Sequence, residues 1–257
     1  MQDHTLVRSG GGWFLFADRY GEASGSLDAA GRKEIDKITR TVSSSEIGRR
    51  IKNNKMRISV ILAHPDEESF NHAIASTAAE VLKQNGHEVS FHDLYKENFA
   101  PLLSSEEIQK DSSLPSEINE HCREISAGEG IIIIHPNWWG QPPAILKGWV
   151  DRVMRPGVAY EFLEGDKGEG IPNGLLKATS AIVFNTSNTG SEREKNIFLD
   201  PLESIWGNCI FGLCGVKNFY RKMFNIVIVS SAEERKEWLE EVRQTVNEYF
   251  PGSYRGE

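Results

Sequence analysis

The sequence has few cysteines, no excess of basic charge and no long apolar run, and each shortage excludes a class of protein. Cys122, Cys209 and Cys214 are the only cysteines among 257 residues, and they form no CxxC pair. We therefore expect neither a disulfide framework nor a structural zinc site, and a reducing cytoplasm as the location. The formal net charge of −8 argues against nucleic acid as a partner. No apolar run approaches the roughly 20 residues that span a bilayer, so we expect no membrane span.

Several sequence motifs of enzymes are also missing. The chain has no GxGxxG, GKS/T, GxSxG or HExxH pattern, which excludes a Rossmann fingerprint, a Walker loop, a hydrolase elbow and a zincin site. His87, His92 and His121 fall in contexts typical of structural or solvent-facing side chains. We predict no metal site.

Composition divides the chain into an appendage and a main domain. Residues 1–55 are rich in Gly, Ser, Arg and Lys, and only the patch at 13–16 is strongly apolar. We interpret this segment as an N-terminal appendage, either disordered or an extension outside the functional domain, with one short helix at 28–38. We predict a single domain over 56–250, followed by a tail at 251–257.

Apolar runs and helical patterns alternate from residue 56 onward. The predicted strands cover residues 57–63, 88–94, 130–135, 179–185 and 224–229, and the predicted helices 71–84, 115–127, 144–154, 201–213 and 232–249. This alternation predicts an α/β fold of three layers around a five-stranded parallel sheet, with strand order 2-1-3-4-5. Ligands of such sheets bind beyond the carboxyl ends of the strands, which singles out the loops at 64–71, 136–141 and 186–191.

The first loop follows strand one and opens a helix. Ser69 and Asn71 are candidate caps of that helix, whose free N–H groups suit an anion such as a phosphate. His64 could hydrogen-bond the same anion, although a helix cap with a loop histidine is the plainer interpretation. The acidic residues 66–68 would repel a phosphate, so we expect them to face solvent.

The second and third loops favour an aromatic ligand with a polar edge. Four isoleucines at 131–134 predict a strand buried on both faces, and the following loop carries Trp138 and Trp139. Either a flat ligand rests on these tryptophans or they pack in the core, and one could do each. The third loop, 185–191, consists of Gly190 and small polar or amide residues. It suits hydrogen bonds to a pyrimidine-like edge, although polar turns are also common without a ligand.

Two of these segments resemble one known family. Ala63-His64 with Ser69-Phe70-Asn71, and residues 136–139 with the PAILKGW segment at 143–149, resemble the flavodoxin-like NAD(P)H quinone oxidoreductases. That family includes DT-diaphorase, the bacterial drug-activity modulators and the ancillary subunits of potassium efflux systems. The resemblance covers about residues 56–250.

The resemblance implies a two-electron reductase that carries a flavin, FMN or FAD. NAD(P)H would reduce the flavin and leave, and a quinone or similar small-molecule acceptor would then take its place, with ping-pong kinetics. Family members are commonly homodimers. The residues implied in flavin binding are His64, Ser69, Phe70 and Asn71 on the phosphate and ribityl side, Pro136, Asn137, Trp138, Trp139 and Gly140 against the ring, and Thr186, Ser187, Asn188, Thr189 and Gly190 at its polar edge.

One departure from the family bears on catalysis. DT-diaphorase carries a Tyr and a His shortly after the third loop, whereas residues 191–200 contain neither, so no catalytic side chain is predicted. Two other functions stay open on the sequence alone: a flavin-bound regulatory subunit of a potassium efflux transporter, and a flavodoxin-like electron carrier. NAD(P)H consumption without a partner protein separates both from the oxidoreductase.

Overall fold

The chain divides into two compact units, Met1–Arg49 and Arg50–Glu257. The computed structural model describes residues 5–9, 12–16, 55–163, 165, 170 and 172–252. Within the first unit, β1 (Thr5–Ser9) and β2 (Gly12–Phe16) pair as antiparallel strands. The helix predicted at 28–38 lies outside the described residues, as does most of the predicted appendage.

The second unit alternates strands and helices. Its elements are β3 (Arg57–Leu62), α1 (Phe70–Gln84), β4 (Glu88–Asp93), a 3-10 turn (Ser105–Ile108), α2 (Ser116–Ala127), β5 (Gly130–Pro136), α3 (Ala144–Val153), β6 (Tyr160–Glu161), β7 (Asn173–Gly174), β8 (Ser180–Ser187), α4 (Ser191–Asn196), α5 (Pro201–Glu203), a π-helical segment (Ser204–Gly212), β9 (Asn218–Asn225), a second 3-10 turn (Val227–Val229) and α6 (Ala232–Tyr249). None of the helices in the described part of the chain combines the length and apolarity that crossing a bilayer requires.

The main sheet has five parallel strands in the order β4-β3-β5-β8-β9. Counted within this sheet, that order is 2-1-3-4-5, so the predicted fold class and strand order are confirmed. The separate β6–β7 pair is antiparallel and lies outside this sheet.

The core lies on both faces of β5. Ile131 and Ile133 belong to one buried apolar cluster, while Ile132 and Ile134 belong to the other, and all four are fully buried. Successive strand side chains point to opposite faces, so an unbroken apolar run is what a strand covered on both sides requires. The predicted double burial of this strand is confirmed.

The predicted position of strand five is wrong. The strand is Asn218–Asn225, paired along β8, whereas residues 227–229 form a 3-10 turn. The prediction followed the most apolar run, but β9 is an edge strand, and its residues are mostly half-buried. An edge strand is free to carry polar side chains, and Ile228 and Val229 are instead exposed.

Two other boundaries shift in ways that matter for the site. Strand β8 continues through Thr186 and Ser187, so part of the predicted third loop is buried strand. The predicted helix at 201–213 begins as α5 and continues in wider π-helical turns. The closing helix begins and ends where the sequence predicts, and Ser231 caps it through a capping box with Glu234.

Gly148 allows α3 to pack closely against the segment that follows β4. A Cβ at this position would lie 2.2 Å from the carbonyl oxygen of Pro101. We predict that Gly148→Ala lowers the free energy of unfolding by about 1–2 kcal/mol, because overpacking outweighs the gain in helix propensity. Denaturant unfolding measures this change. Gly190→Ala is the control, since a Cβ there meets nothing within 4 Å, and equal losses in both variants would contradict the interpretation.

Candidate functional site

The three loops singled out from the sequence meet at one edge of the sheet. They follow β3, β5 and β8, which are neighbours in the sheet, and together they line a crevice of about 480 Å³. The predicted residues that line this crevice are His64, Ser69, Phe70, Asn71, Pro136, Asn137, Trp138, Thr186, Ser187, Asn188 and Thr189. Trp139 and Gly140 line a second cavity, described below, and Gly190 lines neither.

The first loop places a helix N-terminus at the crevice. Ser69 is the N-cap of α1, and its hydroxyl accepts a hydrogen bond from the backbone N–H of His72. Asn71 is not a cap, contrary to our expectation: it lies inside the helix and is buried. Its Nδ2 donates to Thr186 Oγ1 at 2.9 Å, and its buried Oδ1 has no hydrogen-bond partner among the described residues. A buried acceptor without a donor is costly, so this atom points to a ligand that supplies one.

His64 presents a neutral imidazole to the crevice. Burial lowers the pKa of His64, against the opposing effect of Asp66. The ring Nδ1 lies 3.1 Å from the backbone nitrogen of Asp66 and 3.2 Å from its carbonyl oxygen, so it accepts in one tautomer and donates in the other. In the tautomer in which Nδ1 accepts, Nε2 carries a proton that it can donate to an anion. Asp66, Glu67 and Glu68 are exposed. Asp66 nevertheless lines the crevice, contrary to the expectation that the acidic residues face solvent and not the ligand.

The second loop holds both tryptophans away from the core. Trp138 is 41% exposed and Trp139 fully exposed, so the core-packing interpretation is wrong for both. Trp139 and Gly140 have positive φ angles of 59° and 71°, and the turn is closed by backbone hydrogen bonds between Trp138 and Gln141. Non-glycine residues seldom adopt this conformation. Trp139 adopts it and exposes its large aromatic face to solvent.

The third loop is a short turn at the end of a buried strand. Thr186 and Ser187 are buried, while Asn188 is exposed. Ser187 Oγ accepts the backbone N–H of Thr189 at 3.0 Å, and Asn188 Oδ1 accepts that of Ile228 at 2.9 Å. These bonds fix the turn and tie it to the segment after β9.

A second cavity of about 550 Å³ adjoins the crevice. The two share Asn137 and Thr189. The second cavity is lined in addition by Trp139, Gly140, Glu194, Phe198 and Pro201. Most of this wall is apolar, which suits a flat aromatic molecule.

A buried hydrogen-bond chain supports the second loop from below. His135 is fully buried, and its Nε2 accepts from Asn185 Nδ2 at 2.8 Å and from Trp206 Nε1 at 2.9 Å. Its Nδ1 therefore carries the proton and donates to the carbonyl of Pro136 at 2.8 Å. Arg221 continues the chain through a bond to Asn185 Oδ1 at 3.1 Å. The loop that holds the tryptophans thus starts from a backbone carbonyl fixed by this imidazole.

Sequence reasoning missed several residues of the site. Arg235, Val227 and Ile228 line the crevice, and Glu194 and Phe198 line the second cavity. The guanidinium of Arg235 is held by Ser230 Oγ and by the carbonyl of Val227. The misplaced fifth strand concealed this segment, although a loop that follows a fifth parallel strand reaches the same edge of the sheet.

His92 and His121 form hydrogen bonds away from the crevice. Groups of His92, Glu97 and His121 lie within 4.8 Å of one another, as metal ligands would. However, Trp149 Nε1 donates to His121 Nδ1 at 3.2 Å, so in neutral His121 the proton occupies Nε2, the atom nearer Glu97. Burial opposes protonation of His92, but hydrogen bonds to Glu97 and Glu124 outweigh it and raise the pKa of His92. We therefore interpret the cluster as a set of structural hydrogen bonds.

The buried imidazole of His135 should make stability depend on pH. Burial lowers the pKa of His135 to about 4, whereas an unfolded histidine titrates near 6.5. Only the unfolded chain takes up this proton between those values, so the free energy of unfolding should fall as the pH drops from about 6.5 to about 4.

We predict that His135→Gln is less stable than the wild-type chain at neutral pH but loses less stability across this window. Denaturant unfolding at several pH values measures both slopes. His121, whose pKa burial also lowers to about 4, contributes equally to both proteins. Parallel stability curves from pH 8 to pH 4 would contradict the role assigned to His135.

Comparison with known proteins identifies a family and relatives that cover most of the second unit. Residues 56–250 match the family described as having the flavodoxin-like fold. An uncharacterized NAD(P)H oxidoreductase of Haemophilus influenzae is 34% identical over 185 residues, covering 70% of this chain and 89% of the relative. The human ribosyldihydronicotinamide dehydrogenase [quinone] is 28% identical, with coverages of 70% and 86%. The solved NAD(P)H:quinone oxidoreductase of Methanothermobacter marburgensis is similar with a TM-score of 0.64 at 27% identity, covering 75% of this chain and 96% of that one.

Proposed function

We propose an activity for this chain from the premise that it belongs to the flavodoxin-like family, whose pattern spans residues 56–250. It is a flavin-dependent NAD(P)H oxidoreductase, which transfers two electrons from NAD(P)H to a quinone or similar acceptor. One observation carries this function: the crevice formed by three loops combines a capped helix N-terminus, an unpartnered buried acceptor and an exposed tryptophan loop. Phosphate, ribityl chain and aromatic ring are the three parts of a flavin that such groups recognise.

The residues present fit a flavin. The N-terminus of α1 with Ser69 suits the phosphate, and the guanidinium of Arg235 adds positive charge to the same crevice. The unpartnered Oδ1 of Asn71 needs a donor, which a ribityl hydroxyl provides. FMN and FAD share this phosphate and ribityl chain, so either flavin satisfies these groups.

We assign the remaining loops to the isoalloxazine ring. Pro136, Asn137 and Trp138 would lie against the ring, and residues 186–189 would meet its polar edge with hydroxyl, amide and backbone groups, whereas Trp139 and Gly140 line the adjoining cavity. The flavin supplies the hydride chemistry when it is bound, while the chain binds and orients the reacting rings. The hydrogen bond from His135 to the Pro136 carbonyl holds the tryptophan loop in place for this purpose.

The exposed apolar residues beside the second cavity support a homodimer. Trp139, Ile197, Phe198 and Leu199 are all at least half exposed. Exposed clusters of large apolar side chains are typical of interfaces, and a second copy that covers this face would also shield the acceptor from water. Cys122, Cys209 and Cys214 are unpaired, which supports a cytoplasmic location.

Steady-state oxidation of NADPH tests the proposed function. We expect the purified chain to consume NADPH with a simple benzoquinone as acceptor and without a partner protein. Parallel lines in a double-reciprocal plot would fit the ping-pong order. Consumption only with a redox partner would favour the electron carrier, and a flavin-loaded but inactive chain would favour the regulatory subunit.

We predict that Asn71→Ala weakens flavin binding about tenfold, because the variant loses both the proposed ribityl contact and the bond that orients Thr186. Fluorescence titration of the apoprotein with FMN and FAD measures both dissociation constants. Asn119→Ala is the control, since Asn119 is exposed and, within the described residues, its side chain bonds only the Leu114 carbonyl. Unchanged affinity of the Asn71 variant for both flavins would contradict the assignment of the crevice.

A further inference from the structure

Among the described residues that line the second cavity, Glu194 alone has a charged side chain. Glu194 lies in the wall of this cavity and is 2% exposed. The other lining residues are neutral. They are Asn137, Trp139, Gly140, Thr189, Phe198 and Pro201. A buried carboxylate in a largely apolar wall is unusual, because burying a charge is costly unless it is compensated.

The charge of Glu194 is not balanced by a cation within the described residues. Its Oε1 accepts one hydrogen bond, from Ser187 Oγ at 3.1 Å. None of the ion pairs in the described part of the chain includes it, and its neighbours Arg193 and Lys195 are exposed. Charges interact more strongly in such an environment than in water. The carboxylate therefore gives the cavity a local preference for positive charge.

We propose that this cavity is a subsite for planar aromatic rings that carry a positive charge, with Glu194 as the counter-charge. The flat face of Trp139 is fully exposed in the same wall, and aromatic faces attract cations as well as rings. The Glu194 carboxylate and the Trp139 face therefore both favour a flat cation as the ligand. Planar anions such as sulfonated or carboxylated dyes are disfavoured.

This subsite has a specific use if the proposed function holds, on which this step rests. The dihydronicotinamide ring of NAD(P)H is neutral. Oxidation of this ring removes a hydride from C4 with both electrons and leaves a pyridinium with one positive charge, and a bound flavin would be the hydride acceptor. A fixed carboxylate stabilises that developing charge in the transition state. Glu194 would therefore accelerate the reductive half-reaction but not the reduction of a neutral quinone.

Three small probes of the same size test the charge preference directly. They are 1-methylnicotinamide (a cation), nicotinamide (neutral) and nicotinate (an anion). Ligand-observed NMR titration of the full chain as purified gives their dissociation constants. We expect the cation to bind about tenfold more tightly than the neutral ring, and the anion to bind most weakly.

Glu194→Gln keeps the acceptor for Ser187 Oγ and removes only the charge. This variant should bind the cation and the neutral ring about equally. Glu192→Gln is the matched control, because Glu192 lies on the same helix and is exposed, and the one side-chain hydrogen bond it forms with a described residue is accepted from Asn196. An unchanged preference in the Glu194 variant, an equal loss in the Glu192 variant, or no binding of any probe would each overturn the proposal.

Stopped-flow reduction by NADPH provides a second measurement. Glu194→Gln should slow flavin reduction about tenfold and leave reoxidation by a neutral quinone unchanged, whereas equal effects on both half-reactions would contradict the proposal. The experiments can reject the subsite and the proposed function independently of each other. A chain that reduces quinones but shows no charge preference rejects only the subsite. A chain that shows the preference but never takes up flavin rejects only the proposed function.

Discussion

The full burial of β5 on both faces is the constraint on which the rest of the structure depends. Its four isoleucines contribute alternately to the two apolar clusters, so helices must cover both sides of the sheet. A strand enclosed in this way meets polar ligands only at its end. The chain therefore concentrates its polar and aromatic chemistry in the loops that follow β5 and its two neighbours, β3 and β8.

The buried polar groups at this edge differ in whether the chain itself satisfies their hydrogen bonds and charges. His135 is satisfied at both ring nitrogens and serves to hold the Pro136 carbonyl. In the described part of the chain, by contrast, the buried oxygen of Asn71 finds no donor, and the buried carboxylate of Glu194 bonds Ser187 and pairs with no cation. Each incomplete group predicts one property of what binds there: a hydrogen-bond donor in the crevice, and positive charge in the adjoining cavity.

Periodicity in the sequence predicted the parts of the fold where burial determines residue type. The isoleucine run identified β5, and the amphipathic pattern with its acidic first turn identified α6. The same reasoning misplaced strand five, because an edge strand is half-buried and does not need an apolar run. It also missed Arg235 and Glu194, since a charged side chain within a helix is usually exposed, and only the tertiary structure shows that these two line cavities. For the tryptophans, the sequence left core and ligand contact open, and the exposed turn with positive φ angles resolved the question against the core.

The visible absorption spectrum of the purified chain, recorded before and after anaerobic addition of NADPH, tests the central claim most directly. The account predicts flavin bands that bleach on addition of NADPH and return when a quinone is added. A colourless protein that takes up neither FMN nor FAD would contradict it, because the helix N-terminus, the unpartnered Asn71 oxygen and the exposed tryptophans would then have to serve a different ligand.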